Sequence, residues 1–271
     1  MQLSIYKIKI VFLLVASVIL TGLACQKTGT VPSVSGVAAF TVVNVIPNSE
    51  PVIPIINTSQ TIMWFSNANT IGYGRFFEYS PTWGNDTVYV VQSNSDTLNV
   101  GPKVTGLMFY NLLNLKVGGI YSLFLTGADT TSPDFLFTTD TLPYYNFADS
   151  VMGIRFVNLS TGSNPISVNL EGKPNGSEVG SLPYKGITNF GQYINNSTIS
   201  DYLFVVRDAT TGDSLTRFDF IANGSQNNGY GLTDPNNGSN LLTFKNVTVA
   251  IYGSESPSSN SPLSTVLIDN Y

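Results

Sequence analysis

The chain is 271 residues long with a net charge of −5 and only 11% charged residues, so it offers no basic surface for nucleic acid. Histidine is absent, which removes Ser-His and Cys-His nucleophilic pairs and imidazole zinc sites. Cysteine occurs once, so no disulfide forms within the chain, and any enzyme built here would depend on carboxylates, tyrosines or lysines.

Residues 1–24 read as an export leader: Lys7 and Lys9 in a basic start, an apolar run over residues 10–20, and Thr21-Gly22-Leu23-Ala24 directly before Cys25. The run is too short to span a bilayer comfortably. Residues 25–36 continue as a polar tether containing Pro32 and Gly29. This opening resembles a bacterial lipoprotein signal, in which cleavage precedes a cysteine that then receives lipid; Gly22 stands where such signals usually have leucine. The resemblance implies a signal helix, a covalent lipid on Cys25 as the only attached group, no other cofactor, and a membrane partner reached through that lipid. Because Gln26 is not the aspartate that retains such proteins in the inner membrane, it implies the outer membrane of a Gram-negative bacterium. Acyl chains also account for a thiol that has no partner.

Beyond the tether, short runs rich in β-branched and aromatic residues alternate with Gly, Asn, Pro and Ser clusters. They are Ala39-Phe40-Thr41-Val42-Val43-Asn44-Val45, Thr87-Val88-Tyr89-Val90-Val91, Tyr121-Ser122-Leu123-Phe124-Leu125, Tyr202-Leu203-Phe204-Val205-Val206 and Val247-Thr248-Val249-Ala250-Ile251. Asn175-Gly176, Asn223-Gly224 and Asn237-Gly238 supply turn chemistry where the backbone needs positive φ. No later stretch sustains a helical period, so the fold class is all-β, built as antiparallel sandwiches.

The two halves repeat one another. Val43-Asn44-Val45 followed by Pro51 recurs as Val157-Asn158-Leu159 followed by Pro165, an offset of 114, and Val90-Val91 is echoed by Val205-Val206 at 115. Tyr121 to Gly127 matches Val247 to Gly253, and Ser132-Pro133 with Asp140 matches Ser261-Pro262 with Asp269. Two tandem immunoglobulin-like modules, 37–142 and 150–271, fit this spacing. The joint at residues 142–149 carries Tyr144, Tyr145 and Phe147, so the modules are expected to pack on each other. The openings Val42-Val43-Asn44-Val45-Ile46-Pro47-Asn48-Ser49 and Ile154-Arg155-Phe156-Val157-Asn158-Leu159-Ser160 resemble the start of the tandem lipoprotein modules of the domain of unknown function 4397 family. Thr41 stands where that family usually has arginine, and residues 73–83 are an insertion. The resemblance implies envelope-anchored, immunoglobulin-like, non-enzymatic modules.

A glycosidase needs two facing carboxylates, and most of the aspartates lie beside turn residues, as in Asp208-Ala209-Thr210-Thr211-Gly212-Asp213. Asp129, Asp134 and Asp140 crowd one loop and strand without any EF-hand register. Six triplets of Asp, then Ser or Thr, then an apolar residue or Thr resemble a bacterial O-glycosylation sequon. They make Thr87, Thr97, Thr130, Thr141, Ser150 and Ser214 candidate acceptors, and a turn aspartate followed by a strand hydroxyl would produce the same pattern. Trp64, Phe65, Tyr73, Phe76, Phe77, Tyr79 and Trp83 form an aromatic cluster that reads mostly as core. Trp83 and Tyr79, flanking Ser80-Pro81, are the candidates for ligand contact. Arg155 and Arg207 are expected to serve as local ion pairs or strand-end caps. The function expected is a non-enzymatic envelope module that contacts protein or glycan, with glycan capture for a polysaccharide-uptake system and a carboxylate-dependent hydrolase as rivals.

Overall fold

The computed structural model describes residues 36–56, 70–81, 84–93, 106–146, 148–196, 198–199, 201–222, 242–255 and 260–270. The leader, Cys25, Trp64, Phe65, Trp83, Thr97, Asn223-Gly224 and Asn237-Gly238 lie outside the described residues.

The first half carries β1 (Ala39–Asn44), β2 (Val52–Ile56), β3 (Arg75–Tyr79), β4 (Gly84–Gln92), β5 (Leu107–Leu115), β6 (Ile120–Gly127) and β7 (Pro133–Thr139). The second carries β8 (Val151–Ser160), β9 (Ile166–Leu170), β10 (Val179–Leu182), β11 (Gly191–Ile194), β12 (Asp201–Asp208), β13 (Ser214–Ile221), β14 (Asn246–Gly253) and β15 (Ser264–Asn270). The sheets are β3-β1-β6-β7 and β2-β4-β5 in the first half, and β11-β8-β14-β15 and β10-β9-β12-β13 in the second. All five expected strand runs are strands, and no described residue is helical.

The ladders make the duplication explicit. β1 pairs antiparallel with β3 and parallel with β6, and β8 pairs antiparallel with β11 and parallel with β14. The parallel ladders depart from a purely antiparallel reading. The chain crosses to the other sheet between β1 and β6, so no hairpin forces the two strands to run in opposite directions. Asn44 and Asn158 perform one job in both modules. Each side-chain oxygen accepts from the backbone two residues on, Ile46 N and Ser160 N, while each amide donates to a distant carbonyl, Ile71 O at 3.1 Å and Leu182 O at 2.9 Å. Register also refines the correspondence: Asp140 N donates to Ile120 O, the position of Asn246, which faces Asn270. The counterpart of Asp140 is therefore Asn270, one residue beyond Asp269, and by the same logic Val90 corresponds to Val206.

Alternation along β1 and β6 splits their side chains between two cores. Phe40, Val42, Leu123 and Leu125 face β2-β4-β5 and close the first sandwich, while Met152, Ile154, Phe156, Val249 and Ile251 close the second against β9, β12 and β13. The opposite faces meet. Val43, Val45, Phe76 and Phe124 from the first module and Val157, Leu159, Ala250, Tyr252, Val266 and Ile268 from the second form one buried cluster. The order of layers is thus β2-β4-β5, β3-β1-β6-β7, β11-β8-β14-β15, β10-β9-β12-β13, with three apolar seams.

Candidate functional site

The seam between the modules is reciprocal. Val43 corresponds to Val157, Val45 to Leu159 and Phe124 to Ala250, and Phe76 to Ile187, the residues that bridge to Val43 and Val157. Three residues before each of the last pair stand Tyr73 and Tyr184. Tyr73 packs edge-on against Tyr252 at 5.3 Å, while the Tyr184 hydroxyl lies 3.4 Å from the Thr126 hydroxyl, and Thr126 is the counterpart of Tyr252. The following residues, Gly74 and Lys185, both have positive φ, +71° and +58°. The same surface of each module therefore meets its equivalent, the arrangement of an isologous dimer written into one chain.

Two charged contacts break that symmetry. Arg155 Nη1 donates to Asp140 Oδ1 at 2.7 Å, with side chains 5% and 0% exposed. Ser122 Oγ donates to the other Asp140 oxygen at 2.6 Å, and Arg155 Nε donates to Thr248 Oγ1 at 2.7 Å, with the Phe190 ring 4.7 Å from the guanidinium carbon. The expected local role of Arg155 is corrected: its carboxylate comes from the other module. A second cross-module pair, Lys185 with Asp134 at 2.8 Å, is partly exposed. Burial alone would raise the Asp134 pKa, but the Lys185 ammonium, the Phe135 backbone N–H and the Tyr184 hydroxyl outweigh it and hold the carboxyl below its ordinary value. At the joint, Tyr145 is buried, Tyr144 is exposed, and Asn246 Nδ2 donates to Pro143 O at 3.0 Å.

The three crowded aspartates are thereby separated by their partners. Asp129 Oδ1 accepts from the hydroxyl and N–H of Thr131 and from Ser132 N, closing a turn; Asp134 takes Lys185; Asp140 takes Arg155. Among the described residues no group of three His, Cys, Asp or Glu side chains is placed to hold a metal. Asp208 accepts from Asn164 Nδ2, Thr210 N and Thr211 N, and these bonds lower its pKa, led by the one from Asn164. Arg207 Nη1 donates to Gly212 O in the same turn, the cap expected of it.

Of the aromatic cluster, Phe76 is buried in the inter-module seam, and Phe77 and Tyr79 pack half-buried on the first core with ring centroids 4.9 Å apart. Among the candidate glycan acceptors, Thr141 and Ser214 are exposed, and Thr87, Thr130 and Ser150 are half-buried. Asp140 of the Thr141 triplet is committed to Arg155.

The feature that sequence reasoning passed over is the outward face of β2-β4-β5. Matching registers sets it beside the outward face of β9-β12-β13 position by position: Ile53 with Ser167, Ile55 with Asn169, Val91 with Arg207, Tyr110 with Arg217 and Leu112 with Asp219. In the second module that face is polar, and the turn at Asn175 and Gly176 closes over it by hydrogen bonds to Ser167 and Asn169. In the first it is apolar. Ile53, Ile55, Tyr89 and Val91 form a buried cluster, flanked by Tyr110 at 50% and Leu112 at 61% exposure, and the rings of Tyr89 and Tyr110 lie 4.8 Å apart. Burial and the contact with Tyr110 raise the Tyr89 pKa, so its hydroxyl stays protonated and neutral. The nine residues of β5, without a charge among them, were the available signal.

No protein-family model matches the chain, and no curated protein matches it. Among solved structures it is similar to a candidate adhesin from Bacteroides ovatus, at 11% identity over 87% of this chain and 95% of that one, with a TM-score of 0.26. It is also similar to a family 41 carbohydrate-binding module from streptococcal virulence factors, described for α-glucan recognition, at 8% identity over 80% of this chain and 94% of that one, with a TM-score of 0.22.

Proposed function

We propose that the chain is a non-catalytic contact module of the outer envelope, tethered by lipid on Cys25, that presents Tyr110 and Leu112, the exposed margin of the outward face of β2-β4-β5, to a neutral glycan or an envelope protein. The observation carrying this reading is the register-matched contrast between the two outward faces. Where the second module keeps Arg217 and Asp219, the first has Tyr110 and Leu112, two large apolar side chains left exposed at the margin of a buried apolar cluster and suited to being covered. Exposed Tyr110, backed by Tyr89, supplies a ring on which a sugar or an apolar side chain can stack. The fused seam supports the same reading, since buried polar groups such as Asp140 and Arg155 hold the modules to each other and fix the direction in which the face points. Membership in the domain of unknown function 4397 family and glycosylation at the exposed Ser214 belong to this proposal.

The test is a glycan array and an envelope pull-down with the chain, its Tyr110→Ala and Leu112→Ala variants, and Trp83→Ala and Tyr79→Ala as the alternative contact. Binding lost in the first two and kept in the last two is expected. Binding that survives all four, or is lost only with Trp83 and Tyr79, overturns the proposed face. Incorporation of labelled fatty acid that disappears in Cys25→Ser tests the anchor.

A further inference from the structure

Among the described residues four sheets have eight edges, and seven of them carry a recognisable guard. β2 has Pro54 at its centre; β3 has Arg75 and Glu78; β7 begins Pro133-Asp134; β13 has Arg217 and Asp219; β15 has Asp269; β10 and β11 are only four residues long. The eighth edge is β5, Leu-Met-Phe-Tyr-Asn-Leu-Leu-Asn-Leu, nine residues with no charge and no proline. Its middle residues Tyr110, Asn111 and Leu112 are all exposed.

The direction of its free backbone groups is visible in one hydrogen bond. Leu112 N donates at 2.8 Å to the side-chain oxygen of the preceding Asn111, so this N–H points away from β4 and is satisfied by a local, exposed stand-in. Backbone groups alternate sides along a strand, so Tyr110 and Asn114 share that outward direction.

We infer that β5 is a self-association edge, which pairs antiparallel with β5 of a second copy about a twofold axis through Asn111. In this register Tyr110 faces Leu112 of the partner subunit and Leu112 faces the partner's Tyr110, so the two exposed large apolar side chains of the strand cover each other as cross-strand pairs. The outward N–H and C=O groups of Tyr110 and Leu112 pair across the axis, and the Asn111 stand-in is displaced. This register sets the two exposed apolar side chains against each other across the axis, and a twofold axis perpendicular to the sheet closes the assembly at two copies. The product is a six-stranded sheet, β2-β4-β5 continued into its partner, whose two outward apolar faces lie on the same side. At the counterpart edge β13 the same register would set Arg217 opposite Asp219 of the partner subunit, a solvent-screened charge pair in place of an apolar one. The inference rests on the edge and stands whether or not the face of β2-β4-β5 binds a ligand.

Cysteine placement tests the register in the full chain, purified in detergent. Residues at the axis form a non-hydrogen-bonded pair with Cα atoms about 4.5 Å apart, within disulfide reach. Asn111→Cys is expected to give an oxidised dimer on a non-reducing gel. Asn114→Cys, which faces Met108 of the partner subunit and lies far from its own equivalent, is expected to give no covalent dimer on that denaturing gel, and neither is the parent chain with Cys25 alone. Leu112→Lys, a charge of the kind that guards the other edges, is expected to weaken self-association by at least about tenfold in sedimentation equilibrium, with an unchanged circular dichroism spectrum and melting temperature. A parent chain that sediments as a monomer at its highest soluble concentration overturns the inference. So does equal cross-linking of the two cysteine variants, or a dimer indifferent to Leu112→Lys.

Discussion

Asp140 at the end of the first module and Arg155 in the first strand of the second form a buried ion pair at 2.7 Å across the module seam, and neither has a charged counterpart at its repeat-equivalent position. The equivalent of Arg155 is Thr41, and the equivalent of Asp140 is Asn270. Because the seam is isologous, pairing two first modules would set Asp140 opposite a threonine, and pairing two second modules would set Arg155 opposite an asparagine. Either leaves a charge buried without its counter-ion. The pair therefore selects the pairing of unlike modules, a choice the apolar seam residues alone would not make.

The energetic consequence is a double-mutant cycle. Arg155→Met or Asp140→Leu alone leaves one charge uncompensated in a buried place and is expected to cost about 3–5 kcal/mol in chemical denaturation. The double variant is expected to return to within about 1 kcal/mol of the parent, because apolar side chains of similar volume replace a pair whose Arg155 Nη2 has no hydrogen-bond partner in any case. Additive losses would mean that the two residues act independently.

How much of this was open to sequence reading follows from the strands themselves. Runs such as Val247-Thr248-Val249-Ala250-Ile251 announce β structure by composition, and the recurrence of Asn44 as Asn158 announces the duplication because a buried asparagine with fixed bonding is hard to replace. The seam was only half legible. β8 and β14 are almost entirely buried on both faces, and a strand whose two faces are both apolar or small signals a second layer of cover, yet nothing local says that the cover is the other module. The partner of Arg155 was illegible, since an arginine in a strand run looks the same whether its carboxylate is next door or in another module.

Asp86 gives a prediction with a definite sign. It lies on the inner face of β4 opposite Leu113, with Oδ2 buried and without a hydrogen bond, and burial raises its pKa. A carboxyl whose pKa is raised by folding holds its proton more tightly in the folded chain. It costs no stability below the ordinary carboxylate range; the cost builds up as pH rises from there to the raised folded pKa and is constant above it. Asp86→Asn is expected to stabilise the chain at neutral pH by about 1 kcal/mol and to lose that gain near roughly pH 3, measured by denaturation at the two pH values.

Tyr184 behaves likewise on the alkaline side. Burial, and then the neighbouring Asp134 carboxylate, push its pKa up to about 12, against the lowering effect of its contact with Thr126. Between about pH 10 and 12 the unfolded chain loses this proton while the folded chain keeps it, so stability falls across that window. Tyr184→Phe is expected to flatten the fall, and to start about 1 kcal/mol lower at neutral pH through loss of its hydrogen bonds to Asp134 and Thr126. An unchanged alkaline slope in this variant would assign the effect to other tyrosines.

The last prediction tests the duplication at a pair of glycines. Gly127 ends β6 with φ +130° and Gly253 ends β14 with φ +101°, and these are repeat-equivalent positions. A Cβ at Gly127 would press on the Ser132 carbonyl and the Asp134 amide nitrogen, and one at Gly253 on the Pro262 and Ser261 carbonyls. Both obstacles are backbone atoms at the start of the following hairpin strand, which cannot rotate away as a side-chain tip would, and the dihedral is unfavourable to alanine besides. Gly127→Ala and Gly253→Ala are each expected to destabilise by about 2–3 kcal/mol. Gly118→Ala shares positive φ, +69°, but its Cβ would enter open space, so its cost is expected to be about 1 kcal/mol, that of the dihedral alone. Equal costs at all three positions would show that dihedral strain, and not the turn geometry common to the two modules, is what these glycines relieve.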